Sequence, residues 1–169
     1  MSVLIITGPP ASGKNTVADA MAKHLENFAV VDVDDLRDLV ARPLVDVWEG
    51  DEGEKRRELG ARNACALVGN FHDSGFDTVV LDVLTDATAD IYRERLGNFD
   101  LSIVLLLPSE SEINTRLLSR PDYLARGEIG RLYRQQTEFR SYDERLDNTE
   151  LSPDDAAKWL LDRWPLSRP

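Results

Sequence analysis

Residues 8–16 read Gly8-Pro9-Pro10-Ala11-Ser12-Gly13-Lys14-Asn15-Thr16. Two glycines at this spacing, followed by a lysine, have the chemistry needed to hold a phosphate chain. Glycine admits backbone angles closed to other residues, so successive N–H groups can converge on phosphate oxygens. A helix beginning near Gly13 adds its positive dipole end, and Lys14 offers a compact charge to the β- and γ-phosphates. The usual pattern has Ser or Thr after the lysine, to ligate Mg²⁺; here Asn15 stands there, followed by Thr16. Thr16 is therefore read as a phosphate ligand. Asn15 offers at most a neutral oxygen to Mg²⁺, or water fills that place.

Further along, Asp32-Val33-Asp34-Asp35-Leu36-Arg37 sets acids and a guanidinium at the end of an apolar run. A carboxylate there can take a hydroxyl proton, although Asp34 and Asp35 are equally suited to capping a following helix. Asp32 alternates with Val31 and Val33, which predicts a different orientation. Asp82 closes another apolar run and is a second candidate carboxylate. Of the twenty basic residues only four are lysines, and residues 116–145 contain none while carrying Arg116, Arg120, Arg126, Arg131, Arg134, Arg140 and Arg145. Arginine presents a planar fork that matches phosphate oxygens. Asn63 carries an amide within an otherwise apolar helical run, and Trp48 lies beside an acidic stretch.

These residues need a scaffold that gathers strand ends. Apolar runs predict strands at Val3–Thr7, Phe28–Val33, Thr78–Val83, Leu101–Leu107 and Glu144–Asp147. Three of them are nearly continuous in apolar or β-branched residues, as strands covered on both faces should be. Between them, helical spacing marks Lys14–Glu26, Glu52–Phe71, Thr88–Leu96, Ser109–Leu118, Glu128–Phe139 and Pro153–Trp164. Such alternation predicts an α/β domain with a parallel sheet. Arg42–Gly53 reads as an irregular surface excursion and Ser119–Gly127 as a loop.

Composition agrees with a globular domain: 169 residues, 42% hydrophobic and 30% charged. The net charge of −11 disfavours nucleic acid as a partner. One cysteine, Cys65, excludes an internal disulfide framework, and two histidines give no metal centre. The first residues match neither a leader nor a membrane span. The expectation is a cytoplasmic protein with no membrane partner, a monomer or a homodimer.

The loop at residues 8–16 and the Asp34-Asp35-Leu36-Arg37 segment together resemble P-loop kinases of the polynucleotide kinase and chloramphenicol phosphotransferase type, within the nucleotide-kinase-like group. The resemblance implies a three-layer α/β/α P-loop fold with a five-stranded parallel sheet ordered 2-3-1-4-5. It also implies one domain over residues 1–169, with an arginine-rich lid near residues 119–130. Carried over, Asp34 is the base for the acceptor hydroxyl and Arg37 the acceptor clamp. Asp82 serves the Mg²⁺ shell or the acceptor, and Asn63 lies on a helix that forms part of the acceptor pocket. Arg116 packs by the adenine and Arg120 reaches the phosphates, with Arg126 and Arg131 as weaker candidates. Nucleotide kinases resembling adenylate kinase likewise lack a hydroxyl after the lysine and keep the next threonine. The implied activity, with ATP and Mg²⁺ as cofactors, moves the γ-phosphoryl group to a hydroxyl of a small molecule: a nucleoside, nucleotide, sugar acid or antibiotic. ATP is favoured over GTP because no N-K-x-D string occurs. The rival reading is a nucleotide-binding switch that phosphorylates no small molecule.

Overall fold

The computed structural model describes residues 2–118 and 126–164. Its elements run β1 (Ser2–Thr7), α1 (Lys14–Ala22), β2 (Phe28–Asp32), α2 (Val33–Asp38), α3 (Gly50–Asp73) and β3 (Asp77–Asp82). They continue as α4 (Asp86–Arg95), β4 (Asp100–Leu106), α5 (Glu110–Leu118), α6 (Arg126–Glu138), β5 (Glu144–Leu146) and α7 (Pro153–Arg163). The strands form a five-stranded sheet ordered β2-β3-β1-β4-β5, every neighbouring pair parallel.

The continuous apolar strands are explained by helices on both faces. Along β1, Leu4 and Ile6 point into a core shared with Val17 and Met21 of α1 and Ala157 and Leu160 of α7. Val3 and Ile5 point the other way, onto Ala61, Ala64 and Val68 of α3 and Ala89 and Tyr92 of α4. Each such large side chain, fully buried, is worth roughly 1.5–3 kcal/mol. Local signals set the helix starts. Ser152 caps α7 by accepting from the Asp155 N–H at 3.1 Å, with proline in the first turn. Thr85 and Thr88 form a reciprocal capping box on α4.

Parallel strands carry their carboxyl ends to one edge, where ligands of such sheets sit. Thr7, the last residue of β1, is level with Asp82, the last of β3. A buried ring of hydrogen bonds fixes this edge. The Leu84 N–H donates to Thr7 Oγ1 at 3.0 Å, Thr7 Oγ1 donates to Gln136 Oε1 at 3.1 Å, and Gln136 Nε2 donates to the Leu84 carbonyl at 2.8 Å. Gln136 thereby ties α6 to the strand ends.

Two boundaries differ from the sequence expectation. The excursion expected at Arg42–Gly53 ends earlier, because α3 already begins at Gly50. A six-residue helix, α2, follows β2 directly, capped by Asp32 rather than by Asp34 or Asp35. Of the lid expected near 119–130, residues 119–125, Arg120 among them, lie outside the described residues, and residues 126–130 open α6. Among the described residues, no helix is long and apolar enough to cross a membrane.

Candidate active site

The loop between β1 and α1 is built on unusual backbone angles. Gly8 has φ 150° and Gly13 φ 99°. A Cβ on Gly8 would overlap the Leu106 carbonyl oxygen, so only glycine lets the loop leave the sheet there. Ala11 sits at φ 63°, a conformation that disfavours side chains and clusters at functional sites. The Lys14 ammonium folds back over this loop, donating to the carbonyls of Gly8 at 2.8 Å and Pro9 at 3.3 Å. Burial pulls its pKa down to about 8, against the opposing charges of Asp34, Asp32 and Asp82 and with Arg37 adding to the fall. A lysine parked on neutral carbonyls in this way gains greatly from an anion arriving beside it.

Two side chains brace the loop from outside. Arg116 of α5 donates to the Ser12 carbonyl at 2.9 Å and the Asn148 carbonyl at 3.1 Å, while Glu112 accepts from its Nε at 2.8 Å. Asn148, just after β5, donates its own amide to the same Ser12 carbonyl at 2.9 Å. The loop is thus held in place before any ligand arrives.

The other flank is a chain of charges. Asp32 caps α2 through the Asp34 N–H at 3.0 Å and accepts from the Asn15 amide at 2.6 Å. One turn on, Arg37 donates to Asp34 Oδ1 at 2.7 Å and to Asp82 Oδ1 at 2.6 Å. Asp82 also accepts from the Val83 N–H at 2.8 Å and the Tyr92 hydroxyl at 3.0 Å. The side chains of Arg37 and Asp82 are 3% and 0% exposed, whereas that of Asp34 is 55% exposed. Burial alone would lower the Arg37 pKa, but Asp82 and Asp34 outweigh it and hold it above the ordinary value. Burial, followed by the Asp82 charge, pushes the Tyr92 phenol well above its usual range. The network ends in one carboxylate, Asp34, presented to solvent on a buried, charge-balanced support.

Two cavities meet at the loop. One, of about 370 Å³, is lined by Ala11, Gly13, Thr16, Arg116, Asn148 and the start of α7. The other, of about 580 Å³, is bordered by Pro10, Lys14, Asn15, Thr16, Asp32, Asp34, Arg37, Trp48 and Asp82. Ala11, Gly13 and Thr16 border both. An elongated ligand lying across the loop would reach into each.

The family model of chloramphenicol phosphotransferase-like proteins matches residues 1–165. The chain belongs to that family. A search of curated proteins gives no match. Among solved structures, a sugar kinase from Janibacter superposes with TM-score 0.73 at 16% identity, over 99% of this chain and 96% of that one. The tunicamycin resistance protein of Deinococcus radiodurans gives 0.71 at 16% identity, over 99% of each chain. A shikimate kinase from Acinetobacter baumannii, in complex with shikimate, gives 0.65 at 17% identity, over 96% and 92%. At identities this low the superpositions speak to fold alone, and it is the P-loop kinase fold.

In this chloramphenicol phosphotransferase-like chain, the residues predicted from sequence separate by place. Lys14, Asn15, Thr16, Asp34, Arg37 and Asp82 border one cavity, and Arg116 borders the other. Asn63 lies half-buried on α3 and lines neither cavity. Asp82 spends its oxygens on Arg37, Tyr92 and a backbone N–H. Sequence reasoning set Asp32 aside, because alternation along a strand points it away from Val31 and Val33. Asp32 does end the strand, but α2 starts at the next residue, so the same side chain also caps that helix and meets Asn15. Tyr92 and Glu112 were also missed; each is an ordinary helical residue until the fold supplies its partner.

Proposed function

We propose that this protein is an ATP-dependent phosphotransferase that moves the γ-phosphoryl group to a hydroxyl of a small molecule. The observation that carries this reading is the placement of Lys14 and Asp34 on one cavity, beside a loop whose backbone suits a phosphate chain. The adenine and ribose occupy the cavity under Arg116 and Asn148, and the acceptor occupies the cavity under Asp34.

The chemistry follows from these groups. Pro9 and Pro10 have no N–H to offer, so the backbone N–H groups of Gly13 and Lys14, with the N-terminus of α1, receive the β-phosphate. Lys14 leaves the Gly8 and Pro9 carbonyls to meet the β- and γ-oxygens. Asp34, held by Arg37, orients the acceptor hydroxyl in line with the γ-phosphorus and takes its proton. Asp82 and Tyr92 fix Arg37 and act through it, as positioning residues. Arg120 remains the candidate for a second charge on the phosphates.

Mg²⁺ in such sites is held by one or two protein oxygens, with water and phosphates completing its shell. The Asp32 carboxylate and the Asn15 amide oxygen are the donors this flank offers beside Lys14, and they suit that sparse demand. Asp82, fully buried and ion-paired with Arg37, suits it less. When bound, Mg²⁺ supplies charge neutralisation on the phosphates.

The test is transfer from γ-labelled ATP into a metabolite extract. A labelled phosphate ester, lost in Lys14→Ala, supports the reading. Retained ATP with no labelled ester in any pool would favour a nucleotide-binding switch.

A further inference from the structure

Helix α6 and the residue that follows it bury a stripe at helical spacing: Ile129, Leu132, Gln136 and Phe139. Three of these side chains are apolar, and the fourth, Gln136, is fully enclosed. A hydrocarbon would fill that position without the cost of burying an amide. The amide is instead satisfied at both ends. Its oxygen accepts from Thr7 Oγ1 at 3.1 Å, and its nitrogen donates to the Leu84 carbonyl at 2.8 Å. Thr7 Oγ1 itself accepts from the Leu84 N–H at 3.0 Å, which leaves the hydroxyl hydrogen for Gln136. The arrangement has one orientation, because a flipped amide would set its oxygen against the Leu84 carbonyl oxygen.

The segments that this ring joins lie on opposite sides of the reaction centre. Thr7 is the last residue before Gly8, and so the root of the phosphate loop. Leu84 directly follows Leu81, Asp82 and Val83, which border the cavity that contains Lys14 and Asp34. Both backbone groups of Leu84 are engaged in the ring, and the Val83 N–H is held by Asp82 Oδ1 at 2.8 Å. Gln136 therefore ties the root of the phosphate loop to the floor of the acceptor cavity. The same helix is hooked to two other segments. Tyr133 donates to the Pro108 carbonyl at 3.1 Å, and Arg131 donates to the Trp48 carbonyl at 3.3 Å. Trp48 and Val47 line the acceptor cavity, and Arg57 of α3 holds the Val47 carbonyl. Phosphoryl transfer depends on in-line placement, and a displacement of about 1 Å can cost on the order of 10²-fold in rate.

We propose that Gln136, together with Thr7, is a positioning residue that sets the placement of the acceptor floor relative to the phosphate loop. The inference rests on the phosphotransferase reading of this cavity. Neither side chain borders either of the two cavities at the loop, so both act through the backbone they hold. Arg116 and Asn148 brace the loop independently, from its other side. Loss of the ring should therefore slow transfer to the acceptor while ATP affinity holds. A leucine at position 136 fills the apolar stripe but offers nothing to Thr7 or Leu84.

The experiment offers γ-labelled ATP and a metabolite extract to the wild type, Gln136→Leu, Thr7→Val and Thr7→Ser. Label is followed into organic ester and into inorganic phosphate. The ester-to-phosphate ratio does not depend on how much of a variant is folded, so it separates positioning from stability. Gln136→Leu and Thr7→Val are each expected to lower that ratio about tenfold or more at unchanged ATP KM. Thr7→Ser keeps the hydroxyl and should keep the wild-type ratio. Should Gln136→Leu fail to fold, the two Thr7 variants decide alone. A wild-type ratio in both Gln136→Leu and Thr7→Val overturns the proposal and leaves the phosphotransferase reading intact, whatever their urea midpoints. A ratio lowered equally in Thr7→Ser and Thr7→Val also overturns it, since the hydroxyl would then be irrelevant. Absence of labelled ester from the wild type overturns both.

Discussion

The Arg37 guanidinium lies 2.6 Å from Asp82 and 2.7 Å from Asp34, so one side chain joins a fully buried carboxylate to a half-exposed one. The two ends have different expected costs. Asp82→Asn leaves a buried positive charge with half its support, and should destabilise the protein by about 3–5 kcal/mol. Asp34→Asn, at the solvent end, should cost no more than about 1 kcal/mol. Urea unfolding of both variants checks this, and equal costs would contradict the assignment of Asp82 as the anchor.

Gly8→Ala puts a methyl group onto the Leu106 carbonyl at a φ that alanine rarely adopts. The loop must shift or the strand end must yield. A loss of roughly 2 kcal/mol or more in stability is expected, together with loss of nucleotide binding by calorimetry. Alanine there with unchanged ATP affinity would show that the loop is not the phosphate cradle.

Lys14 gives a pH dependence with a definite sign. Its folded pKa, about 8, lies below the ordinary lysine value of 10.5. The nucleotide-free protein should therefore gain stability from this group as pH rises from near 8 to 10.5, and lose it as pH falls through 8. Bound phosphates reverse the situation by favouring the charged amine. At pH 9, ATP binding should take up about one proton, read as a dependence of calorimetric heat on the buffer's ionisation enthalpy. Binding without proton uptake at that pH would contradict the proposed meeting of Lys14 with phosphate.

Much of this was legible from the chain itself. The strands β1, β3 and β4 read clearly because their residues are apolar on both faces, and Gly8, Gly13 and Lys14 announced the loop through spacing at a strand–helix junction. The helix α2 was not legible. It spans only Val33–Asp38, and its acids look like caps while its cap, Asp32, looks like a strand residue. Arg57 was opaque for another reason. It sits in a charged helical segment, and only the folding of residues 39–49 against α3 gives it the Val47 carbonyl as a partner. Arg131, a weaker candidate from sequence, donates to the Trp48 carbonyl.

Arg116 supports the loop without belonging to it, so its loss should act on nucleotide rather than acceptor. Arg116→Lys keeps the charge but cannot span Glu112, Ser12 and Asn148 at once. ATP KM should rise roughly tenfold with acceptor KM unmoved, measured by steady-state kinetics against each substrate. An acceptor effect alone would place Arg116 on the wrong side of the loop.

The most direct measurement compares the wild-type protein and Asp34→Asn for the fate of the γ-phosphoryl group, followed as label in organic ester and in inorganic phosphate. The account predicts ester from the wild type, and roughly 10²–10⁴-fold slower ester formation from the variant at unchanged ATP affinity. Wild-type label appearing only as inorganic phosphate, or a variant that makes ester at the wild-type rate, would contradict it.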